Sequence, residues 1–434
     1  MMTFWNRSKE LELIKKRLRK GGFGYVTGRR RIGKTALLKK ACEKFGGIYH
    51  QAVEGTPAQQ ILHLAEELAA KLGVFREITP KTWSEFFSLL AREKLPGLVV
   101  FDEFPYWVEG DHTLASVLQK WIDHELPKKR TLILISGSSQ SMLYDQMLNR
   151  SLPLYGRASF HLHLEPMSYG WFCRTLGFKV AKPESFARFS LVGGVPYYWK
   201  LMPKGSMVDQ AHELYFEPSA ILSQEPASWI RDEGITGSLP KAILDLIGRG
   251  VAKPSELAAR LGTPQGNLSR PLALLVELGL VSRELPFGES TRSTKRTHYA
   301  ILDPALSFYF STFLPHRSRW DALSKRKKGE LLEMHASRQW EVFCRRSFRG
   351  SSRYWESGVE IDLVAATGEK GHYLVAECKW SQLTESAKRS MLADLKARFL
   401  KTRLGRRAHS AQFKILSKDD LPWLARNAQF ANKG

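Results

Sequence analysis

The 434-residue sequence predicts an α/β protein of several domains, and three patterns along the chain support this prediction. Apolar strand-like runs alternate with helical runs over residues 1–165, which is typical of a mostly parallel sheet covered by helices. Residues 240–300 read as short helices followed by two strands around a basic loop. From residue 325 onward the predicted order is helix, three strands, helix, strand. Because single cores rarely grow beyond about 250–300 residues, the length also favours division into domains.

The charge of the chain is its most unusual bulk property. The formal net charge is +23 at pH 7 and the isoelectric point is near 9.8. Residues 311–434 hold 25 Lys and Arg against 13 Asp and Glu, so over half of the excess lies in the last third. Such a surface attracts polyanions, which favours nucleic acid as the partner. A generally basic protein without that partner is the alternative.

The cysteines and the apolar runs bear on the cellular environment. Cys42, Cys173, Cys344 and Cys378 are scattered without a CxxC pair, which favours reduced thiols over a disulfide framework or a zinc site. No apolar run reaches the length of about 18–20 residues that a membrane span needs, and the first residues lack a signal-peptide core. We therefore expect a cytoplasmic protein with no membrane partner.

The first element is a strand at 24–27 that leads into "GRRRIGKT" (28–35) and then a helical run. The spacing of Gly28, Gly33, Lys34 and Thr35 is G-x-x-x-x-G-K-T in its required strand–loop–helix setting. The glycines let backbone N–H groups and the helix N-terminus face phosphates. Lys34 is predicted to bridge the β- and γ-phosphates of ATP, and Thr35 to ligate Mg²⁺.

A second strand, "LPGLVVFDEF" (95–104), ends in two acids. Asp102 is predicted to hold the Mg²⁺ through water, and Glu103 to polarise the attacking water as the catalytic residue of hydrolysis. The alternative is a buried strand closed by two capping acids.

The third strand, 130–139, ends in small polar residues, and either Ser138 or Ser139 is predicted to contact the γ-phosphate. Beyond it, Arg150 and Arg157 are candidates for an arginine finger, and surface salt bridges are an equal alternative for both. The pattern then becomes helical over 166–232, which we interpret as a lid on the nucleotide domain.

Residues 233–315 are predicted to form a winged helix, because a helix-turn-helix pattern is followed by two strand-like segments. In that fold the second helix of the motif reads DNA bases and the wing contacts phosphates. The alternative is a structural or protein-contact module, a use that winged helices have inside ATPases. The residues predicted to bind DNA are Gln265, Asn267, Ser269 and Arg270 on the recognition helix and Arg292, Lys295 and Arg296 on the wing.

Residues 325–434 have the α-β-β-β-α-β order of the PD-(D/E)xK nuclease superfamily, which this segment resembles. Asp362 and Glu377 on neighbouring strands, with Glu341 from the preceding helix, are predicted to bind Mg²⁺ or Mn²⁺ through hard oxygen ligands. Lys379 shares a strand face with Glu377 and is predicted to position the attacking water. Glu360 is a weaker ligand candidate, and a hairpin of salt-bridged acids and bases is the alternative.

Taken together, these segments resemble the archaeal-type P-loop ATPases that join an AAA+/STAND-like module to a winged helix and a C-terminal restriction-endonuclease fold. This resemblance implies ATP and Mg²⁺ as cofactors at Lys34, Thr35, Asp102 and Glu103, and it favours Arg157 over Arg150 as the arginine of the site. The first matching segment departs from the family in having Asn6 before its arginine. The matching segments are "FWNRSKELELI" (4–14), "GRRRIGKT" (28–35), "VVFDEF" (99–104), "ISGSS" (135–139), "PLYGR" (153–157), "GGVPYY" (193–198), "LGLVSRELP" (278–286) and "EIDLVA…VAECKW" (360–380).

The sequence thus predicts an ATP-binding and hydrolysing protein that binds duplex DNA and carries a metal-dependent nuclease-like domain, with a homo-oligomer as one possible state. One alternative is a nucleotide-switched DNA-binding or signalling ATPase whose nuclease fold is inert. Another is an ATPase whose C-terminal domain binds a second protein.

Overall fold

The computed structural model describes residues 5–137, 142–143, 147, 149–290, 292 and 296–431, with side chains described to residue 426. The chain forms two compact units. The first contains the residues up to Pro166 together with Arg231–Gly234, and the second contains Met167–Ile230 and Ile235–Gly434.

The first unit is built on a five-stranded sheet in the order β2-β3-β4-β1-β5, in which every neighbouring pair is parallel. Because parallel strands end at one edge of a sheet, the residues that follow β1, β3 and β4 meet there. The strands are β1 (Gly22–Thr27), β2 (Ile48–Gln51), β3 (Leu98–Asp102), β4 (Leu132–Ser136) and β5 (Phe160–His163).

Helices cover this sheet, and their large aromatic side chains form much of the core. Trp83, Phe86 and Trp107 are fully buried, and the rings of Trp83 and Trp107 lie 4.8 Å apart. Burying such side chains is the main source of stability for an α/β layer. The helices are α1 (Ser8–Leu18), α2 (Lys34–Phe45), α3 (Pro57–Ala69), α4 (Val74–Glu77), α5 (Trp83–Arg92), α6 (Pro105–Gly110), α7 (Leu114–His124) and a 3₁₀ turn, Leu126–Lys128.

The second unit begins with the helical segment that the sequence assigns to a lid. Here it packs on a later helix, because Phe186 lies 5.5 Å from Trp340 and His335 Nε2 lies 2.7 Å from the Ser190 carbonyl. Within this unit the segment is therefore joined to the C-terminal region. Its elements are α8 (Tyr169–Leu176), α9 (Pro183–Val192), α10 (Pro196–Lys200), α11 (Met207–Ala211), a π-turn (His212–Phe216), a 3₁₀ turn (Ile221–Ser223) and α12 (Glu225–Asp232), whose last two residues belong to the first unit.

A helix-turn-helix with a two-stranded antiparallel hairpin follows, as the winged-helix prediction requires. Its core is formed by apolar side chains such as Leu244, Leu257 and Leu275, each of them fully buried. The elements are α13 (Ser238–Gly248), α14 (Pro254–Leu261), a 3₁₀ turn (Gln265–Leu268), α15 (Ser269–Glu277), β6 (Ser282–Glu284), β7 (His298–Ala300), α16 (Pro304–Phe308), a π-turn (Tyr309–Phe313) and α17 (Leu314–His316).

The last part of the chain has the predicted order of helix, three strands, helix, strand. Its four-stranded sheet runs β11-β10-β9-β8, with β8, β9 and β10 antiparallel and β11 parallel to β10 after a helical crossover. The elements are α18 (Lys325–Arg346), β8 (Ser352–Glu356), β9 (Val359–Ala366), β10 (His372–Cys378), α19 (Glu385–Lys401), α20 (Arg403–Arg406), β11 (Ser410–Leu416), a 3₁₀ turn (Lys418–Asp420) and α21 (Leu421–Ala431). Of the helices in the described part of the chain, none combines the length and hydrophobicity that a membrane span requires.

Candidate functional site

The loop between β1 and α2 has the backbone of a phosphate-binding loop. Gly28 has φ +143°, and a Cβ at this position would lie 2.9 Å from the Leu164 carbonyl oxygen. Gly33 has φ +101° and immediately precedes the 12-residue α2. Both conformations favour glycine, and the loop delivers the unpaired N–H groups of a helix N-terminus to one place.

Lys34 lies inside this loop. Its Nζ donates hydrogen bonds to the Gly28 carbonyl at 2.7 Å and the Arg29 carbonyl at 3.3 Å, and the residue is only 7% exposed. Burial lowers the pKa of Lys34, while the charges of Glu103, Asp102 and Glu233 act in the opposite direction. The loop therefore holds a lysine side chain next to its backbone N–H groups, an arrangement that suits anion binding.

Asp102, at the end of β3, is the centre of a buried hydrogen-bond network. It is 1% exposed, and its Oδ2 accepts hydrogen bonds from Thr35 Oγ1 at 2.7 Å and from the Tyr49 hydroxyl at 2.8 Å. Its Oδ1 accepts one from Ser136 Oγ at 2.6 Å. These bonds fix the carboxylate beside Thr35, so the two predicted magnesium residues are brought together.

The donor set of Thr35 and Asp102 fits Mg²⁺, which prefers hard oxygen ligands and is commonly held by one or two protein groups plus substrate phosphates. Among the described residues no group of three or more His, Cys, Asp or Glu side chains could hold a metal ion. A magnesium ion at this position would therefore take its remaining ligands from phosphates and water.

Sequence reasoning missed Tyr49 and Ser136 in this network. The predicted contacts to the γ-phosphate, Ser138 and Ser139, lie outside the described residues. Ser136 ends β4, beside β3, so its position at the same sheet edge was a signal that could have identified it. Burial, and then the neighbouring Asp102, raise the pKa of the Tyr49 hydroxyl, which keeps it a hydrogen-bond donor.

Glu103 has φ +55°, a conformation that costs a non-glycine residue about 1–3 kcal/mol and is found most often at functional sites. Its backbone N–H donates to Asp102 Oδ1 at 3.1 Å. Burial lowers the pKa of Lys34, and among the carboxylates that raise it Glu103 has the largest effect. The strained turn thus places the predicted catalytic acid close to the loop.

The two arginine-finger candidates have different surroundings. Arg150 is exposed. The Arg157 guanidinium donates to both carboxylate oxygens of Asp123 at 3.0–3.1 Å and to the carbonyls of Pro153 and Tyr155 at 2.8 and 3.1 Å. These bonds tie the chain near residue 155 to α7, and the nucleotide-sensing role of Arg157 stays a prediction.

Arg7 is a third residue whose role was missed. It is 7% exposed, and its guanidinium donates to the carbonyls of Ile32 and Glu165, each at 3.0 Å, and to Glu10 at 2.8 Å. Because Ile32 lies in the phosphate-binding loop, the hydrogen bond from Arg7 to its carbonyl helps to hold the loop in place. The departure at Asn6 leaves this arginine in place.

A second candidate site lies on the C-terminal sheet. Asp362 on β9 accepts a hydrogen bond from the Cys378 N–H at 2.8 Å through Oδ2. Lys379 Nζ donates to Glu377 Oε1 at 2.8 Å, and Arg398 of α19 donates to Glu377 Oε2 at 2.8 Å. The structure therefore brings together Asp362, Glu377 and Lys379, and it adds Arg398, which the sequence pattern did not indicate.

The acids of this site are electrostatically strained. Burial, and then the charge of Asp362, raise the pKa of Glu341, and burial, and then Glu377, raise the pKa of Asp362. Burial lowers the pKa of Lys379, but its hydrogen bond to Glu377 and the surrounding carboxylates raise it overall. Two carboxyl groups and one lysine whose pKa values are all raised in one cluster are typical of functional sites.

Both oxygens of Glu377 are engaged by cationic side chains, at Lys379 and Arg398. Glu360, the weaker ligand candidate, forms an ion pair with Arg353. The described residues therefore do not assemble the predicted shell of three carboxylates, and the metal-binding roles of Glu341, Asp362 and Glu377 stay predictions.

The raised pKa of Glu341 gives a testable pH dependence. A carboxyl whose pKa is raised by folding binds its proton more tightly in the folded chain, so it lowers stability as pH rises above its unfolded pKa. We expect Glu341→Gln to raise the Tm by about 1–3 °C at pH 8, with the gain disappearing towards pH 4. Thermal unfolding at several pH values measures this, and Glu369→Gln, an exposed acid in the β9–β10 turn, should show no such trend.

The predicted recognition-helix residues Gln265, Asn267, Ser269 and Arg270 are all exposed, around the buried Leu268. They lie on the 3₁₀ turn and the first turn of α15. A recognition helix presents its N-terminal residues to base edges, so their exposure matches the predicted use.

The wing residues that are predicted to contact phosphates have different surroundings. Arg292 is exposed and Lys295 lies outside the described residues, but Arg296 forms an ion pair with Glu289 and donates to the Trp355 carbonyl at 3.0 Å. At Arg296 the described part of the hairpin therefore packs on β8. Arg296 is held in this contact, and its role as a phosphate ligand, which would require these bonds to open, stays a prediction. The same face is held by His298 stacked on Trp355 at 4.1 Å and by the Phe287 N–H bonded to the Arg353 carbonyl at 2.8 Å.

Three known families match successive segments of the chain. Residues 4–200 match a family described as an ATPase domain predominantly from Archaea, and residues 233–290 match the MarR family. Residues 325–391 match a family described as archaeal and bacterial proteins of unknown function. The chain thus has a P-loop ATPase domain and a MarR-type winged helix.

Two similarities extend over most of the chain. The uncharacterized protein MJECL04 of Methanocaldococcus jannaschii is 26% identical over 413 residues, which covers 90% of this chain and 91% of that protein. The Walker-type ATPase PABY2304 of Pyrococcus abyssi is similar in structure, with a TM-score of 0.54 and 18% identity over 71% of this chain and 96% of that chain. At this identity the second similarity shows the fold alone, a P-loop ATPase fold.

Proposed function

We propose that this chain binds and hydrolyses Mg²⁺-ATP in its ATPase domain and binds duplex DNA through its winged helix. The observation that carries the proposal is the contact between Thr35 and Asp102 at 2.7 Å, beside the loop that holds Lys34. Two segments far apart in sequence place a hydroxyl and a carboxylate where Mg²⁺ and phosphates would meet.

The residues of the site have separate tasks. Lys34 would turn from the loop carbonyls towards the β- and γ-phosphates. The N–H groups of the loop would donate hydrogen bonds to the phosphate oxygens. Bound Mg²⁺ supplies neutralisation of the phosphate charge. Tyr49 and Ser136 fix the Asp102 carboxylate in the orientation that would bind the magnesium ion. Glu103 would polarise the attacking water.

The DNA-binding proposal is supported by the exposed recognition helix and by the net charge of +23. Arg292 of the wing is exposed, whereas Arg296 contacts β8, so we assign the base contacts to the recognition helix. A protein partner on the same helix is the alternative. Salt separates the two, since removing a side chain that binds a DNA phosphate makes the salt dependence of affinity less steep.

The DNA-binding half is tested at Arg270. We expect Arg270→Ala to weaken binding to a short duplex about tenfold and to reduce the slope of log affinity against log salt by about 1. Fluorescence anisotropy across a salt series measures both. Arg260→Ala, an exposed arginine on α14, removes the same charge from the neighbouring helix and is the matched control. Salt-independent binding that is unchanged by Arg270→Ala would exclude DNA contact through this helix.

A second candidate function is metal-dependent phosphodiester cleavage by residues 325–434. It is favoured by Asp362 on β9, Glu377 on β10 and Lys379 directly after β10, which lie together in an α-β-β-β-α-β domain. Their chemistry fits Mg²⁺ or Mn²⁺ bound to the carboxylates, with Lys379 orienting water. An inert nuclease fold that only binds DNA is the rival, and it is favoured by the pairing of Glu377 with Arg398.

The proposed organisation has four parts. These are an ATPase core (1–165), a helical lid (166–232), a winged helix (233–315) and a nuclease-like domain (325–434). The candidate arginine finger, Arg157, would have to leave Asp123 and the carbonyls of Pro153 and Tyr155 to reach the nucleotide of a second subunit in a homo-oligomer.

A further inference from the structure

A short acidic stretch, Arg231–Gly234, lies with the ATPase unit although the chain on both sides of it belongs to the other unit. It contains the end of α12 and the turn that follows, and we call it the acidic segment. Its turn is closed by a hydrogen bond from the Gly234 N–H to the Arg231 carbonyl at 2.9 Å.

The two acids of this segment meet the cationic groups of the phosphate-binding loop. Asp232 forms an ion pair with Arg30 of the loop, and both side chains are about one-third exposed. Glu233 is 4% exposed, and its charge is among those that raise the pKa of Lys34 against the opposing effect of burial. Burial, and then the charge of Glu103, raise the pKa of the Tyr106 hydroxyl, and the charge of Asp232 adds to this effect. Asp232 therefore also lies close to Tyr106, beside the Asp102–Glu103 turn.

This placement has an electrostatic consequence. A buried carboxylate such as Glu233 is stable only with cations or hydrogen-bond donors around it. The loop offers these groups, and they are the ones that a triphosphate uses. Carboxylates and phosphates carry the same sign, so the acidic segment and the triphosphate oppose each other at the loop.

We infer that the acidic segment is an internal competitor of the nucleotide: Asp232 and Glu233 neutralise the loop when no nucleotide is bound, and they leave it when a nucleoside triphosphate binds. The inference rests on the proposed ATP site and adds its regulation.

The position of the acidic segment in the chain links the competition to the winged helix. Three residues, 235–237, separate it from α13, the first helix of the winged helix. Release of the segment by ATP would free the residues that lead into α13. Because coupling between two sites is reciprocal, anything that holds the segment on the loop lowers ATP affinity by the same factor.

Removal of the two charges tests the competition. We expect Asp232→Asn combined with Glu233→Gln to bind a non-hydrolysable ATP analogue about tenfold more tightly than the natural chain, a change equal to about 1.4 kcal/mol. Isothermal titration of the full chain with the analogue and Mg²⁺ measures this. The control is Glu12→Gln combined with Glu43→Gln, which removes two exposed, lysine-paired acids from the same unit and should leave the affinity unchanged.

The outcomes separate the two proposals. Equal or weaker binding by the double variant, in a chain that binds the analogue, would overturn the competition and leave the ATP site standing. No binding by either chain would overturn the ATP site itself, and the inference with it.

Hydrogen exchange supplies a readout that does not depend on the variants. We expect the analogue to speed amide exchange in peptides spanning 225–237, because the segment leaves the loop. Slower exchange there would show that the segment closes over the nucleotide, and would overturn the inference even if the variants bind more tightly.

Discussion

Replacing Lys34 by alanine should lower the rate of ATP hydrolysis on the order of 10²–10³-fold, because the phosphates lose their buried cation in the transition state. The fold should tolerate this change. Burial already lowers the pKa of Lys34, so its removal relieves the cost of a buried charge while leaving the Gly28 carbonyl without its hydrogen bond. Steady-state phosphate release at saturating Mg²⁺-ATP measures the rate, and circular dichroism checks the fold.

Lys40→Ala is the matched control for Lys34→Ala. Lys40 lies on the same helix, α2, and its Nζ is bound to the exposed Glu43 at 3.0 Å. This variant should hydrolyse ATP at the natural rate. Full activity of Lys34→Ala, in a preparation whose natural chain is active, would mean that another protein or another site performs the hydrolysis.

The nucleotide site could be predicted to a large extent because its residues follow from local patterns. The loop residues are contiguous, and Asp102 ends a strongly apolar strand. The contact between Thr35 and Asp102 spans 67 positions, yet it follows from one rule, that parallel strands end at the same edge. The backbone strain at Glu103 has no such local signal.

Several of the interactions that were missed are ion pairs set by tertiary structure. Asp232 and Arg30 are 202 positions apart, and Arg398 reaches Glu377 from the crossover helix. In a chain with 66 Lys and Arg, many arginines are available for any acid, and the pattern does not choose among them. The docking of Arg296 on β8 was missed for the same reason, because it depends on how two segments pack.

Replacing Asp362 by asparagine should reduce cleavage of plasmid DNA on the order of 10²–10³-fold if the C-terminal site is a nuclease. Asparagine keeps an oxygen that can accept the hydrogen bond of the Cys378 N–H, so β9 and β10 should stay in register. The variant loses the charge that a divalent ion needs. Lys379→Ala should cause a similar loss, since it removes the group predicted to orient the attacking water.

The cleavage assay needs Mg²⁺ and Mn²⁺ in separate reactions, each with and without ATP, and a DNA-retardation gel beside it. Glu369→Gln removes an exposed acid of the same domain and should cut like the natural chain. If the natural chain retards DNA but never cuts it, the pairing of Glu377 with Lys379 and Arg398 is the resting arrangement of an inert site. In that case the cluster serves as a scaffold, and the ATPase domain and winged helix carry the whole function. If cutting occurs and is lost in both variants, those ion pairs must open for a metal ion to bind, which would place Arg398 among the groups that control access to the site.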